Sequence, residues 1–228
     1  MNRANATEAF PTPDPESVVA DRRAGTAETV TTVAIVERDH VIREGLRALV
    51  EQSPELCCVA AHASIREALL ALPDLQPDVM LLDGQLLAQN ETGLIARLKA
   101  CSSTTQILIL TTFDLGGVSL ESVRAGTSGD LPKTTPAAEL VQAVKWVHAG
   151  GSLMSMPLAR RVRSHFRAHK ERQGGLCPLT GREEEVVAAL ARGNRYLVIA
   201  DKFGIDVSAV LGLVRGVYAK LGDLPRVT

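Results

Sequence analysis

No apolar run in this 228-residue chain approaches the roughly 20 residues that a membrane-spanning helix needs. The N-terminus also lacks a positively charged stretch followed by an apolar core, the mark of a secretory signal. The expectation is a chain with no membrane partner, located in the cytoplasm. Cysteine is sparse: Cys57, Cys58, Cys101 and Cys177 stand at no metal-ligand spacing. Vicinal Cys57-Cys58 lies in a strand-like run and reads as reduced core. An excess of one charge sign is missing too, since the formal net charge is −1. Internal repeats are absent.

The charge that is present is unevenly spread. Residues 31–150 carry a net −5, residues 151–175 a net +5 and residues 176–228 a net +1. A strong nucleic-acid binder usually concentrates basic residues on its binding module. Here they sit in a connector, at Arg160, Arg161, Arg163, Arg167, Lys170 and Arg172.

Four short apolar runs each end in a residue with chemistry. Val33-Ala34-Ile35-Val36 runs into Glu37-Arg38-Asp39, and Val79-Met80-Leu81-Leu82 into Asp83. Ile107-Leu108-Ile109-Leu110 runs into Thr111-Thr112, and Gly129-Asp130-Leu131-Pro132 into Lys133. Stretches of helical period separate them, which argues for a parallel α/β sheet. In open sheets of this kind a ligand site lies beyond the carboxyl ends of the strands. Glu37, Asp83, Thr111 and Lys133 are therefore expected to converge on one pocket, where Arg38 is the misfit.

Residues 1–29, with Pro11, Pro13 and Pro15 and no apolar period, are expected to be disordered. Strands are expected near 31–37, 57–61, 78–83, 106–111 and 128–132. Helices are expected near 41–52, 64–72, 91–100, 116–125 and 136–149, the last capped by Thr135 with Pro136 at its first position. A basic linker spans 151–177, partly helical around 157–170 and relaxing at Gly174-Gly175. Beyond it the chain reads as all helix. Thr180-Gly181-Arg182-Glu183 is a capping box, Gly204 supplies a tight turn, and a last helix runs from Asp206 to Leu221. That is a helix-turn-helix.

These residues resemble the response regulators of the NarL/FixJ group, with a receiver followed by a LuxR-type helix-turn-helix. In the first half the matching segments are Arg43-Glu44-Gly45-Leu46, Pro77-Asp78-Val79-Met80-Leu81-Leu82-Asp83, Leu110-Thr111-Thr112-Phe113-Asp114 and Arg124-Ala125-Gly126-Thr127-Ser128-Gly129. In the second half they are Leu179-Thr180-Gly181-Arg182-Glu183 and Tyr218-Ala219-Lys220-Leu221-Gly222. The resemblance implies an α/β, flavodoxin-like receiver over 30–150, with a five-stranded parallel doubly wound sheet. A small all-α domain over 178–228 then follows the linker. It lacks most of the family's fourth helix, with only Asp223–Thr228 left for it. Asp83 matches the phospho-acceptor, Thr111 the responding hydroxyl and Lys133 the phosphate-pairing lysine. The family's metal-holding acid pair falls on Glu37 and Arg38.

Family pockets hold three carboxylates and one lysine; this one balances Glu37 and Asp83 against Arg38 and Lys133. Mg²⁺ gains little there, so Glu37 and Asp83 make at best a weak metal site, and no cofactor is expected. Arg38 is expected to pair bidentately with Asp83. The alternative turns Arg38 to solvent and slips Asp39 into its place. The loop after Asp83 lacks the usual proline near Leu87, Asp130 occupies the place of the family's switch aromatic, and Pro132 precedes Lys133. In the reading helix, Leu211, Gly212 and Leu213 stand where the family has lysine, a variable residue and histidine. Gly216 replaces a polar or basic residue, and Leu197 and Val198 a polar–charged pair.

Two readings stay open. One is a non-enzymatic, DNA-binding transcription regulator, weak on its own, whose receiver works without ordinary phosphorylation. Its contacts would be Arg192, Arg195, Ser208, Leu211, Gly212, Arg215 and Lys220, with the basic connector. The other is a protein-interaction module, with Leu197, Val198, Leu211 and Leu213 as an apolar patch, acting by heterodimerising with an intact regulator. Homodimerisation is expected through Val118, Val123, Leu140, Val144 and Trp146. Whether a sensor kinase acts on the chain is left open.

Overall fold

The computed structural model describes residues 30–89, 93–112, 118–172 and 178–223. The segments 1–29, Phe113-Asp114, Gly174-Gly175, Cys177 and 224–228 lie outside them, and with them the expected tail disorder.

Among the described residues the chain builds one parallel sheet, in the order β2–β1–β3–β4–β5. Its strands are β1 Thr31–Val36, β2 Leu56–His62, β3 Val79–Asp83, β4 Gln106–Thr111 and β5 Gly129–Pro132. A parallel sheet is covered on both faces, so its inner strands are apolar without alternation. Accordingly β1 and β3 are buried along their whole length. The crossover helices are α1 His40–Glu51, α2 Ile65–Leu75, α3 Gly84–Gln89, α4 Leu94–Cys101 and α5 Leu120–Arg124, and α6 Ala137–His148 follows β5. Residues 84–89, read from sequence as loop, form the short α3. Nor does Thr135 cap α6: its hydroxyl donates to the Pro132 carbonyl, and the N-cap is Pro136. Cys57 and Cys58 are buried and form no disulfide, and burial pushes the Cys58 thiol up to about 11.

The helices α7 Met156–Arg172, α8 Gly181–Ala191, α9 Tyr196–Phe203 and α10 Val207–Asp223 make the second half. Helix α7 is amphipathic, burying Leu158, Ala159, Val162 and Phe166 and leaving its arginines outside. The Thr180–Glu183 capping box forms at the start of α8. Gly204, at φ +63°, closes α9 in the left-handed region and so makes the turn into α10. No helix of the described residues is long and apolar enough to cross a membrane.

The two halves share their cores. On one face of the sheet, Met80, Leu82, Ile107 and Ile109 belong to the same buried cluster as Leu158, Val162, Val214 and Val217. On the other, Leu140, Val144, Val147 and Leu153 belong to the same buried cluster as Leu211 of α10, which is 3% exposed. Gly151 permits that approach: a Cβ there would lie 3.1 Å from the Leu211 Cβ and 2.9 Å from the Trp146 carbonyl. Polar bonds stitch the seam. Tyr218 donates to the Leu153 carbonyl at 2.6 Å, the Met154 amide to the Tyr196 hydroxyl at 2.6 Å, and Arg124 to the Leu221 carbonyl at 2.9 Å. Glu139 of α6 pairs with Arg195 at 2.6 Å.

Candidate functional site

The sheet order reverses beside β1, where in open α/β sheets side chains from several strand ends meet. The β1–β3 register pairs Val36 with Leu82. The next residues, Glu37 and Asp83, therefore emerge side by side, 1% and 2% exposed. Lys133, just past β5, reaches both carboxylates: its Nζ is 2.6 Å from Glu37 Oε2 and 2.8 Å from Asp83 Oδ1. Burial works against the ammonium charge, but hydrogen bonds with Asp83 and Glu37 outweigh it and raise the Lys133 pKa. Asp83 Oδ1 also accepts from the Gln85 amide at 3.0 Å, and Glu37 Oε1 from the Asp39 amide at 3.0 Å. Thr111 turns its hydroxyl to the Leu131 carbonyl at 3.2 Å, away from the carboxylates.

Arg38 does not take the expected place. It is exposed, and its Nη2 lies 3.4 Å from Gln85 Oε1, while Lys133 holds Asp83. Asp39 does not slip inward either. It caps α1, accepting from the Val41 amide at 2.8 Å and the Ile42 amide at 3.1 Å. The hydrogen bond from the Ile42 amide leads in lowering its pKa. Both departures have one cause: an N-cap gains backbone hydrogen bonds at the surface, whereas a third charge in the pocket would have to be desolvated. Mg²⁺ prefers carboxylates and water at near-octahedral geometry. This pocket offers two carboxylates bridged by an ammonium. Among the described residues no group of three Asp, Glu, His or Cys side chains is arranged to hold a metal. The residues do not fit Mg²⁺.

The expected DNA-contact residues differ in exposure and in the partners they find. Arg192, Ser208 and Gly212 are exposed. Arg195 is engaged by Glu139, Arg215 reaches the Gly150 carbonyl at 3.4 Å, and Lys220 pairs with Glu183. Burial opposes the Glu183 charge, yet Lys220 and the Thr180 amide and hydroxyl together lower its pKa. Leu211 is in the seam and Leu213 is half-buried, so the expected apolar patch reduces to Leu197 and Val198, 58% and 52% exposed. Most of the expected dimer face is taken up by the chain itself: Val118 and Val123 lie in the core shared with the helical half, Leu140 and Val144 share a buried cluster with Leu211, and Trp146 stays partly exposed. A lysine-sized or histidine-sized polar side chain at position 211 could not be buried there without a partner. Leucine belongs in that seam.

One group that the sequence marked only as a departure from the family pattern sits three residues before Lys133. Asp130 is fully buried and accepts from the Ser155 amide at 2.8 Å and from the Ser155 hydroxyl at 2.5 Å. Burial pushes its carboxyl up to about 6, against the pull of the Ser155 bonds. Its departure from the family pattern was legible; its partner, 25 positions on in the connector, had no sequence signal.

The family model for the response regulator receiver domain matches residues 33–145. Over 190 residues, 83% of this chain and 88% of the relative, the sequence is 33% identical to a DNA-binding transcriptional activator, DevR/DosR, of Mycobacterium tuberculosis. This chain is a response regulator of the NarL/LuxR family. A LuxR-family response regulator from Aurantimonas has a similar structure, with 29% identity and TM-score 0.51, over 57% of this chain and 94% of that one. The Salmonella typhimurium response regulator RcsB, 19% identical with TM-score 0.50, shares the fold over 87% of this chain and 95% of its own. The chain thus keeps the architecture of the response regulators, and its relatives include DNA-binding transcription regulators of two-component systems.

Proposed function

We propose that this response regulator is a DNA-binding transcription regulator whose receiver works without Mg²⁺-dependent phosphorylation of Asp83. The observation that carries the proposal is the placement of Lys133 between Glu37 and Asp83, with exposed Arg38 at the position of the family's second acid. Aspartyl phosphorylation needs charge neutralisation on the transferring oxygens. Here Asp83 is already neutralised from within. Treatment with acetyl phosphate and Mg²⁺, followed by a phosphate-affinity gel, tests this. The expected result is no shifted band. Near-complete modification that disappears in Asp83→Asn would overturn it. Arg38→Asp is expected to create Mg²⁺ affinity measurable by calorimetry.

DNA contact falls to Arg192, Arg195, Ser208, Gly212, Arg215 and Lys220, with the α7 arginines. Leu211, buried in the seam, offers none. A good bidentate base contact is worth roughly 1–3 kcal/mol, and few of these residues can make one. Binding by the isolated protein is therefore weak, electrostatic and steeply salt-dependent. A homodimer or a heterodimer with another response regulator supplies the second reading helix.

The exposed Leu197 and Val198 favour a second reading, a module that binds no DNA and acts by heterodimerising with an intact regulator. Fluorescence anisotropy against a random duplex library at graded salt separates the two. Salt-sensitive binding supports the first, and none at any salt supports the second.

A further inference from the structure

A cleft of about 690 Å³ opens where the two halves meet. That lies within the roughly 300–1,000 Å³ of small-molecule sites, which favour domain junctions. Helix α6 contributes Gln142 and Trp146, the connector Met154, the turn before α9 Asn194, and the start of α9 Tyr196 and Leu197. We propose that this cleft binds a neutral, planar, polycyclic organic molecule, and that its occupancy holds the two halves together.

The walls define the class. Trp146 and Tyr196 stand 6.1 Å apart, tilted by 50°, and present aromatic surface to a flat ring system. The thioether of Met154 adapts to irregular apolar outlines. The charged side chains at the rim, Glu139 and Arg195, already pair with each other at 2.6 Å. A charged ligand would shed hydration without finding a free counter-charge there, so the occupant is neutral. The side-chain amides of Gln142 and Asn194 have no hydrogen-bond partner among the described residues. Each offers donors and an acceptor, which suits a heterocycle with carbonyl or N–H groups at its edge. Leu197, 58% exposed, is an apolar rim that the chain itself leaves uncovered.

Because the walls come from both halves, the complete site exists only while they are closed. A ligand that binds one arrangement better shifts the population toward it by its differential affinity. Closure also keeps Leu211 in the seam, so occupancy opposes use of the reading helix. That last consequence rests on the proposed DNA reading; the binding and the closure do not.

Nile red, a neutral planar dye, serves as the probe on the full chain. Trp146 is the only tryptophan, so energy transfer from it to bound dye reports the site directly. The expectation is saturable binding of one dye per chain. Leu197→Glu and Gln142→Glu, at positions open enough to leave folding intact by circular dichroism, should each weaken it at least about tenfold by adding an unpaired charge. The anionic dye anilinonaphthalene sulfonate should bind at least about tenfold more weakly than Nile red. Small-angle scattering should show a radius of gyration that falls or holds with dye. Binding that does not saturate, that survives both substitutions, or that favours the anion would overturn the proposal. So would sedimentation showing that a second copy of the chain displaces the dye. If the dye binds as expected but the protein binds no DNA at any salt, the DNA reading fails and the site stands.

Discussion

Two buried carboxylate sites meet β5 and its exit, one through Lys133 and the other at Asp130, and they resolve burial in opposite ways. In the receiver pocket, Glu37 and Asp83 are buried against the ammonium of Lys133, and the attraction of opposite charges keeps that lysine charged. At the seam, Asp130 is buried against neutral donors, the amide and hydroxyl of Ser155, and its carboxyl is raised to about 6. The first site ties Asp83 into an internal ion pair. The second puts a group that titrates near neutrality at the joint between sheet and connector. Burial alone decides neither; the sign and reach of the nearest partner do.

The largest effect is expected from removing the cation that the two sites do not share. Lys133→Met leaves two carboxylates buried without their counter-ion, and breaking a buried pair from one side costs about 3–5 kcal/mol. Urea unfolding at pH 7 should show a loss of that order. An unchanged midpoint would mean that the pocket is wetter than the distances imply.

Asp130 should behave in the opposite sense with pH. Its folded-state pKa, about 6, lies above the ordinary 3.8, so the folded protein holds this proton more tightly than the unfolded chain does. Its contribution is fully present below the ordinary carboxylate range and is lost as pH rises through about 6. The span amounts to at most about 3 kcal/mol at roughly 1.4 kcal/mol per pKa unit. Thermal melts of wild type and Asp130→Asn from about pH 4 to 7.5 should diverge in slope across that window, with the variant flatter. Parallel curves would place the titration elsewhere.

A smaller effect is expected at the seam's apolar part. Leu211→Ala removes a buried side chain from the cluster that also holds Leu140, Val144, Val147 and Leu153. It should cost about 2 kcal/mol, the low end for such truncations, because a domain seam relaxes more easily than a core. Scattering should show the halves separating, and proteolysis should cut the connector sooner. The smallest effect has the opposite sign. Gly212 is exposed on α10, and a Cβ there would meet nothing within 4 Å. Gly212→Ala should stabilise by up to about 1 kcal/mol, visible as a raised melting temperature.

The sheet was legible because its signals are local. Each apolar run ended at a chemistry-bearing residue, and Glu37, Asp83 and Lys133 met as their strand ends required. Arg38 was legible as a misfit but not as to where it would turn. Whether it paired with Asp83 or faced outward depended on Lys133, which lies far along the chain and arrives first at both carboxylates. The capping box at Thr180 formed as its residues dictate, while Thr135 found a carbonyl acceptor instead of the helix start.

By itself the sequence determined the alternation of strand and helix, the pocket at the strand ends, the basic connector and the helix-turn-helix. Periodicity, capping and turn residues act within a few positions and leave a readable trace. Only the tertiary structure decided that α10 lies in the seam, that Leu211 is core rather than surface, and that Asp130 clasps Ser155. Those outcomes join residues such as Leu153 and Tyr218, 65 positions apart. An apolar residue on a helix states that it will be buried; which distant surface buries it is settled by the packing of the whole chain.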